Sequence, residues 1–364
     1  MTEISRQSIF DLLETISDPH TGTSLGEGKS VSEVTVEGSV VEAKLTLGYP
    51  ARGWHAELDA TARKMVTQAV DGACEININI ETKIVAHEVQ KGVTPIQGVR
   101  NIIAVASGKG GVGKSTVSSN LALALSAEGA KVGVLDADIY GPSQPRMLGI
   151  SGRPKSADGK SLEPMSSYHL QVMSIGFLVE EDTPMIWRGP MVTQALEQLL
   201  NDTRWKDLDY LVIDLPPGTG DTQLTLAQKV PVSGAVIVTT PQDIALLDAR
   251  KALKMFEKVE IPVLGVIENM STHVCSACGH EEAIFGEGGG VQMAEEYEVE
   301  TLGRIPLDIR IRADADSGRP TVVADPDGAI TMNYRSIARH VAGQLAARRR
   351  SYSDVFPSIV IQNT

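Results

Sequence analysis

A glycine-rich segment joins an apolar run at 101–106 to a helical pattern that starts at Lys114. The run is rich in Ile and Val and is bounded by glycines, which predicts a buried strand. Val117, Leu121 and Leu125 then recur at helical spacing. A strand, a tight loop and a helix in this order can bind phosphate, because glycines let backbone N–H groups turn inward and the helix N-terminus adds partial positive charge.

The loop itself has the spacing Gly-x-x-x-x-Gly-Lys-Ser from Gly108 to Ser115. Lys114 is placed to reach the β- and γ-phosphates of a nucleoside triphosphate, and the Ser115 hydroxyl is placed to hold Mg²⁺. We therefore predict that the chain binds ATP with Mg²⁺. The predicted nucleotide-binding residues of the loop are Gly108, Lys109, Gly110, Gly111, Val112, Gly113, Lys114, Ser115 and Thr116.

Composition narrows the possible partners. The 364 residues leave room for one large or two ordinary domains, and 42% hydrophobic with 22% charged residues is typical of a globular protein. A net charge of −13 argues against general affinity for nucleic acid or anionic lipid, so neither is an expected partner. The start MTEISRQSIF lacks a basic region followed by an apolar core, and three cysteines do not make a disulfide framework. We expect a cytoplasmic protein.

Residues 1–85 are predicted to form a small α/β domain of their own. A helix is followed by two alternating runs at 31–37 and 40–47, with Gly38-Ser39 between them as a hairpin turn. A helix at 56–69 and a strand at 74–80 complete the unit. Its one cysteine, Cys74, stands at a strand start and is interpreted as a small apolar filler.

A linker is predicted at 86–100, a second α/β domain at 101–350 and a tail at 351–364. Short apolar runs alternate with helical ones in that domain, which predicts a doubly wound, mostly parallel sheet with ligands at the carboxyl ends of its strands. The last helix is expected to pack on the sheet. The predicted strands are 101–106, 131–135, 210–214, 235–239, 263–268 and 302–305; the predicted helices are 191–200, 222–229, 244–259, 290–297 and 331–350.

Carboxylates follow two of these strands. Asp136 and Asp138 come after one, where either could orient water, hold Mg²⁺ or cap a turn, and Asp214 ends the other as expected for a carboxylate near Mg²⁺. Asn269 also follows a strand, where it could contact a purine or cap a loop.

Two cysteines, Cys275 and Cys278, are separated by two residues and can point at one metal centre from a tight loop. Iron–sulfur clusters and zinc both take four ligands. One chain could close a zinc site with His273 and His280, or two chains could each supply both thiols to a shared cluster. A simple dithiol is the third alternative.

These motifs together resemble the Mrp/ApbC iron–sulfur cluster carrier ATPases over about residues 100 to 320. The motifs that carry the resemblance are Gly108–Thr116, 136–143 (DADIYGPS), 173–177 (MSIGF), 187–191 (WRGPM), 214–221 (DLPPGTGD), 240–242 (TPQ), 268–270 (ENM), the Cys275–Cys278 pair and 284–286 (IFG). Residues 1–85 are similar to the small domain often fused in front of such ATPases. The cysteine that usually follows its second strand is absent from 47–54.

The resemblance implies a homodimer that holds a labile four-iron–four-sulfur cluster on Cys275 and Cys278. It would receive the cluster from scaffold proteins and pass it to apo-proteins, with slow ATP hydrolysis. An early lysine such as Lys109 marks the deviant Walker A group, which includes MinD and ParA, and there it reaches the partner's nucleotide. The implied catalytic residues are Lys109, Lys114, Asp138, which would polarise water, and Asp214; Ser115 and Asp214 would hold Mg²⁺, and Asn269 would meet the purine.

Two other functions fit parts of the sequence. A positioning ATPase like MinD or ParA would use the same phosphate loop without the cysteines. A metal-binding module gated by nucleotide would use both sites without significant turnover.

Overall fold

The computed structural model describes residues 5–70, 75–156, 158–178, 189–275 and 277–348. The predictions for Cys74, for residues 187 and 188 and for the tail at 351–364 lie outside these residues. The strands are β1 (Ser17–Asp18), β2 (Thr23–Ser24), β3 (Val31–Glu37), β4 (Val40–Leu47), β5 (Glu75–Thr82), β6 (Val99–Ala106), β7 (Val132–Asp136), β8 (Met165–Ser167), β9 (Leu170–Ser174), β10 (Leu208–Asp214), β11 (Gly234–Thr239), β12 (Val263–Asn269), β13 (His273–Val274), β14 (Glu281–Glu282) and β15 (Thr301–Ile305). The helices are α1 (Arg6–Glu14), α2 (His55–Ala69), α3 (Lys114–Ala127), α4 (Gln144–Met147), α5 (Gly189–Asp202), α6 (Asp221–Lys229), α7 (Asp243–Lys258), α8 (Gly289–Glu296), α9 (Ile309–Asp316), α10 (Thr321–Ala324) and α11 (Ala329–Ala346).

The N-terminal region is a three-stranded sheet, in the order β3-β4-β5, with α1 and α2 packed on it. β3 and β4 form the predicted hairpin with the predicted bounds, and Gly38 takes the left-handed φ of 59° that its turn requires. β5 lies parallel to β4 because α2 carries the chain back across the sheet. Leu13, Leu45 and Leu58 are buried beneath the helices.

The larger sheet has eight strands in the order β15-β12-β11-β6-β10-β7-β9-β8. All neighbouring pairs are parallel except β8 with β9, so the predicted mostly parallel sheet is confirmed. The strand order places β6 and its phosphate loop near the middle of the sheet. Strands that follow β6 in the chain lie on both sides of it. The carboxyl ends of β6, β7, β10 and β12 all meet at one edge.

Helices cover both faces of this sheet. The chain moves from β6 to β7 towards one edge and from β11 through β12 to β15 towards the other. Because crossovers between parallel strands are right-handed, α3 lies on one face while α7 and α8 lie on the opposite face. The doubly wound prediction is confirmed.

The last helix packs on the sheet, as predicted, and it lies on the same face as α3. Ile337, Val341 and Leu345 are buried, and α11 contacts both α3 and β15. Within the described part of the chain, no helix is both long and apolar enough to cross a membrane.

Several short elements were not predicted: β8, β9, the β13–β14 pair and the helices α4, α9 and α10. Each is too short or too polar to show a clear apolar period. The division of the chain at residues 85, 100 and 350 stays a prediction.

Candidate functional site

The phosphate loop is open on one side and tightly packed on the other. Gly111 and Gly113 have φ angles of 85° and 83°, which bend the backbone as only glycine does readily. A Cβ added to Gly110 or Gly111 would meet nothing within 4 Å, so space for phosphate lies beside them. A Cβ on Gly108 would instead lie 2.1 Å from the Asp248 carbonyl carbon in α7. Gly108 therefore allows the loop to pack against α7, while Gly110 and Gly111 leave space for phosphate.

Lys114 and Asp214 form a buried ion pair at the loop. The Asp214 carboxylate is fully buried and also accepts hydrogen bonds from Ser118 Oγ at 3.0 Å and Gln144 Nε2 at 2.9 Å. Lys114 Nζ lies 3.2 Å from the hydroxyl oxygen of Ser115. The structure thus brings together the three residues predicted to hold MgATP. A hydroxyl and a carboxylate are oxygen ligands of the kind Mg²⁺ prefers, so this donor set fits the ion.

Asp136 and Asp138 have different surroundings. Asp136 is fully buried and accepts hydrogen bonds from the N–H groups of Asp138, Ser143 and Gln144 and from Ser174 Oγ, at 3.0 to 3.2 Å. Burial and the nearby charge of Asp214 raise its pKa. Its hydrogen bonds with the N–H groups hold the loop after β7 against the site.

Asp138 is only partly buried, on the same loop. Burial raises its pKa, while the N–H groups of Tyr140 and Gly141 oppose the increase. Such a carboxylate is suited to accept a proton from water, because its affinity for protons exceeds that of an exposed aspartate. Its assignment to catalysis stays a prediction.

Lys109 is half-buried in the phosphate loop, and no ion pair of its ammonium occurs within the described residues. Its carbonyl accepts a hydrogen bond from Ser107 Oγ at 2.9 Å. Thr116 lies in the first turn of α3, with its carbonyl bonded to Asn120 Nδ2 at 2.9 Å.

Asn269 packs against the phosphate loop. Its side chain is 7% exposed, and Nδ2 donates a hydrogen bond to the Val112 carbonyl at 2.8 Å. A Cβ on Gly113 would lie 2.3 Å from that nitrogen. The structure places this amide group against the protein backbone, and the predicted purine contact stays untested.

The two cysteines lie on a small hairpin at the same edge of the sheet. β13 pairs with β14, and Cys275 N–H donates to the His280 carbonyl at 2.9 Å while Gly279 N–H donates to the Cys275 carbonyl at 2.8 Å. Cys275 is partly exposed and Cys278 is exposed. The N–H groups of Ala277 and Cys278 lower the pKa of Cys275, which favours the thiolate that binds metal.

A zinc site closed by one chain receives no support from the hairpin. The Nδ1 of His273 lies 3.0 Å from the Leu307 carbonyl oxygen, and His280 is exposed. Of the residues described, no three His, Cys, Asp or Glu side chains are grouped to hold a metal ion. The Cys275–Cys278 pair supplies two ligands.

Three polar residues of the site were missed from the sequence. Gln144 bridges the Ser115 carbonyl at 3.0 Å and Asp214, while Ser118 and Ser174 donate to the two buried aspartates. Ser118 lies one helical turn after Lys114, and this spacing could have identified it. Gln144 begins α4 and Ser174 ends β9, and the spacing of neither residue relates it to the phosphate loop.

Comparison with known proteins shows the family to which the chain belongs. Residues 98–342 match the family described as NUBPL iron-transfer P-loop NTPase. The chain belongs to this family. Residues 6–78 match a second family, described as iron–sulfur cluster assembly protein.

Individual relatives of the NUBPL family agree with this assignment. The iron–sulfur cluster carrier protein of Escherichia coli K12 is 55% identical over 295 residues, covering 80% of each chain. A nucleotide-binding protein from Archaeoglobus fulgidus, solved in complex with ADP, is 39% identical with a TM-score of 0.57, covering 65% of this chain and 91% of its own. The cell division ATPase MinD from Pyrococcus furiosus, at 23% identity and a TM-score of 0.50 over 66% of this chain and 98% of its own, shares the fold alone. The resemblance to cluster carriers in the sequence is confirmed.

Proposed function

We propose that this protein is an ATP-dependent iron–sulfur cluster carrier in which two copies of the chain hold one cluster between them. Its family is one of iron-transfer P-loop NTPases, and its relatives are named as cluster carriers. The observation that carries the proposal is the exposed pair Cys275 and Cys278, at the same sheet edge as the phosphate loop.

The thiol count supports a shared site. An iron–sulfur cluster takes four protein ligands, commonly thiolates, and one hairpin offers two. Two chains related by a two-fold axis would bring four thiols together. Lys109, which is half-buried in the loop and has no ion pair in the described residues, would contact the nucleotide of the partner.

The nucleotide would be held and hydrolysed by this chain's own groups. The N–H groups of the loop and Lys114 would bind the phosphates, Ser115 and Asp214 would hold Mg²⁺, and Asp138 would orient water for attack on the γ-phosphate. When Mg²⁺ is bound, it neutralises the charge that develops on the phosphate oxygens. The cluster, as cargo, would pass from scaffold proteins to apo-proteins.

Anaerobic reconstitution with iron and sulfide tests the cluster site. We expect the wild type to bind one cluster per dimer, with Mössbauer spectra typical of four irons, and the double variant Cys275→Ala, Cys278→Ala to bind none. Cys74→Ala is the matched control and should keep full iron and sulfide. Full retention of both by the double variant would refute the site.

ATP hydrolysis tests the enzymatic part. Asp138→Ala should lower kcat by about 10²–10⁴-fold, the range for loss of a group that handles a proton, with little change in ATP affinity. Lys114→Ala should lose ATP binding as well. Equal rates in both variants and the wild type would indicate a module gated by nucleotide without turnover, and ATP-dependent sedimentation with liposomes or DNA would indicate a positioning ATPase.

A further inference from the structure

We propose that Asn269 is a positioning residue that couples the phosphate loop to the cysteine hairpin. The inference rests on the proposed carrier function, and it names the contact through which nucleotide would change the cysteines. It concerns a residue that the sequence assigned to the base of the nucleotide.

The first step is the contact between Asn269 and the loop. The Val112 carbonyl that Asn269 binds belongs to the peptide between Val112 and Gly113, and Gly111 and Gly113 on either side both have left-handed φ angles. Any movement of this peptide when phosphate binds must either break the 2.8 Å hydrogen bond or carry the amide with it. A loss of the bond would leave a buried polar group without its partner, which is unfavourable, so a joint movement is favoured.

The second step is the short connection to the cysteines. Asn269 is the last residue of β12, and Met270 directly after it has a φ of 56°, an uncommon value for a residue with a side chain. The Met270 Cε would lie 3.7 Å from a Cβ at Gly113, so this side chain also lies beside the loop. Six positions separate Asn269 from Cys275 in the chain.

The third step is that the base of the hairpin is held. Ser271 donates through both its N–H and its Oγ to the Ile305 carbonyl, at 2.9 and 3.1 Å, and Leu307 N–H donates to the Thr272 carbonyl at 2.7 Å. At the far end of the segment, the buried Glu268 carboxylate accepts the Gly290 N–H at 2.7 Å. A displacement at Asn269 is therefore transmitted to the hairpin as a tilt about these anchors.

The test measures thiol reactivity in metal-free, reduced protein, with and without saturating MgATP. Peptide mass spectrometry separates labelling of Cys275 and Cys278 from labelling of Cys74. In the wild type, MgATP should change the labelling rate of the pair by about fivefold or more, the lower end of ordinary coupling between two sites. In Asn269→Ala, and in Asn269→Asp, which keeps the size but cannot donate, the ratio should fall to near one.

Asn201→Ala is the matched control, because it also removes an amide hydrogen bond to a backbone carbonyl, that of Glu197 in α5, away from the loop and from the anchors of the hairpin. This variant should keep the wild-type ratio. The proposal is overturned if either Asn269 variant keeps that ratio once saturated with nucleotide, or if the wild type shows no dependence on MgATP. It is also overturned if the variants lose discrimination between ATP and GTP while the thiol response is unchanged. Since no cluster is present, a failure of reconstitution would count only against the proposed function.

Discussion

Asp136 and Asp138, with one residue between them, have different roles at the end of β7. Asp136 accepts four hydrogen bonds and is fully buried, whereas Asp138 has part of its surface open to solvent. Because every donor to Asp136 comes from the loop at 138–144 or from β9, its carboxylate determines where Asp138 and Gln144 lie. A buried aspartate with a raised pKa also makes the free energy of unfolding depend on pH.

We expect the nucleotide-free protein to lose stability as pH rises from the ordinary aspartate pKa of 3.8 towards the raised pKa of Asp136 in the folded state. In that window the folded state binds more protons than the unfolded state, so the free energy of unfolding falls, by about 1.4 kcal/mol for each unit of pKa increase. Thermal unfolding midpoints at about pH 5 and about pH 8 measure this difference. Asp136→Asn should reduce the difference. Asp138, whose pKa is also raised, and the buried His20 and partly buried His55, whose lowered pKa values act in the opposite direction, contribute to the part that remains. An unchanged difference in the variant would contradict the prediction.

At the scale of elements, the phosphate loop and α7 are in direct backbone contact. Gly108 touches Asp248, and the loop also contacts the end of β12 through Asn269. The loop is therefore fixed by two elements from the second half of the chain. Packing against α7 requires glycine at 108, whereas a side chain at 110 would point into open space, where we expect phosphate to bind.

Alanine at these two glycines should separate folding from binding. Gly108→Ala should lower the free energy of unfolding by roughly 1–3 kcal/mol, because its Cβ would overlap the Asp248 carbonyl. Gly110→Ala meets no protein atom within 4 Å and should leave stability near the wild type while weakening ATP binding. Urea unfolding and nucleotide titration of both variants measure the two effects. Equal stability of the two variants would contradict the packing argument.

At the scale of the whole molecule, the N-terminal region is hydrogen-bonded to the C-terminal end of α3, the helix that follows the phosphate loop. Glu128, the C-cap of α3, has a fully buried carboxylate that accepts hydrogen bonds from Arg335 and Arg339 of α11 and from the Gly53 N–H, at 2.7 to 2.8 Å. Arg339 also reaches His20, with 3.0 Å between Nε and the ring Nε2. The Glu128 carboxylate thus connects α3, α11 and the N-terminal region.

Removal of the Glu128 carboxylate should weaken the contacts among α3, α11 and the N-terminal region. Glu128→Ala should lower the free energy of unfolding by about 1–3 kcal/mol, because two partly buried arginines and the Gly53 N–H lose their partner. It should also speed proteolysis at 83–98, which connects the two regions. Glu296→Ala is the control, since its ion pair with Arg250 is exposed and should contribute at most about 1 kcal/mol. Equal effects of the two variants in urea unfolding would show that Glu128 does not fasten the regions.

The amino-acid sequence alone determined the features that depend on neighbours in the chain. Glycine spacing, the period of apolar residues and the separation of two cysteines are local, so the phosphate loop, the parallel sheet and the thiol pair could be predicted. Only the tertiary structure decided which groups meet from 70 to more than 200 positions apart: Gln144 with Asp214, Asn269 with Val112, Glu128 with Arg335 and Arg339. These contacts depend on where parallel strands end and how helices cross the sheet. The residues next to a side chain in the sequence do not indicate which distant residue it will contact after folding.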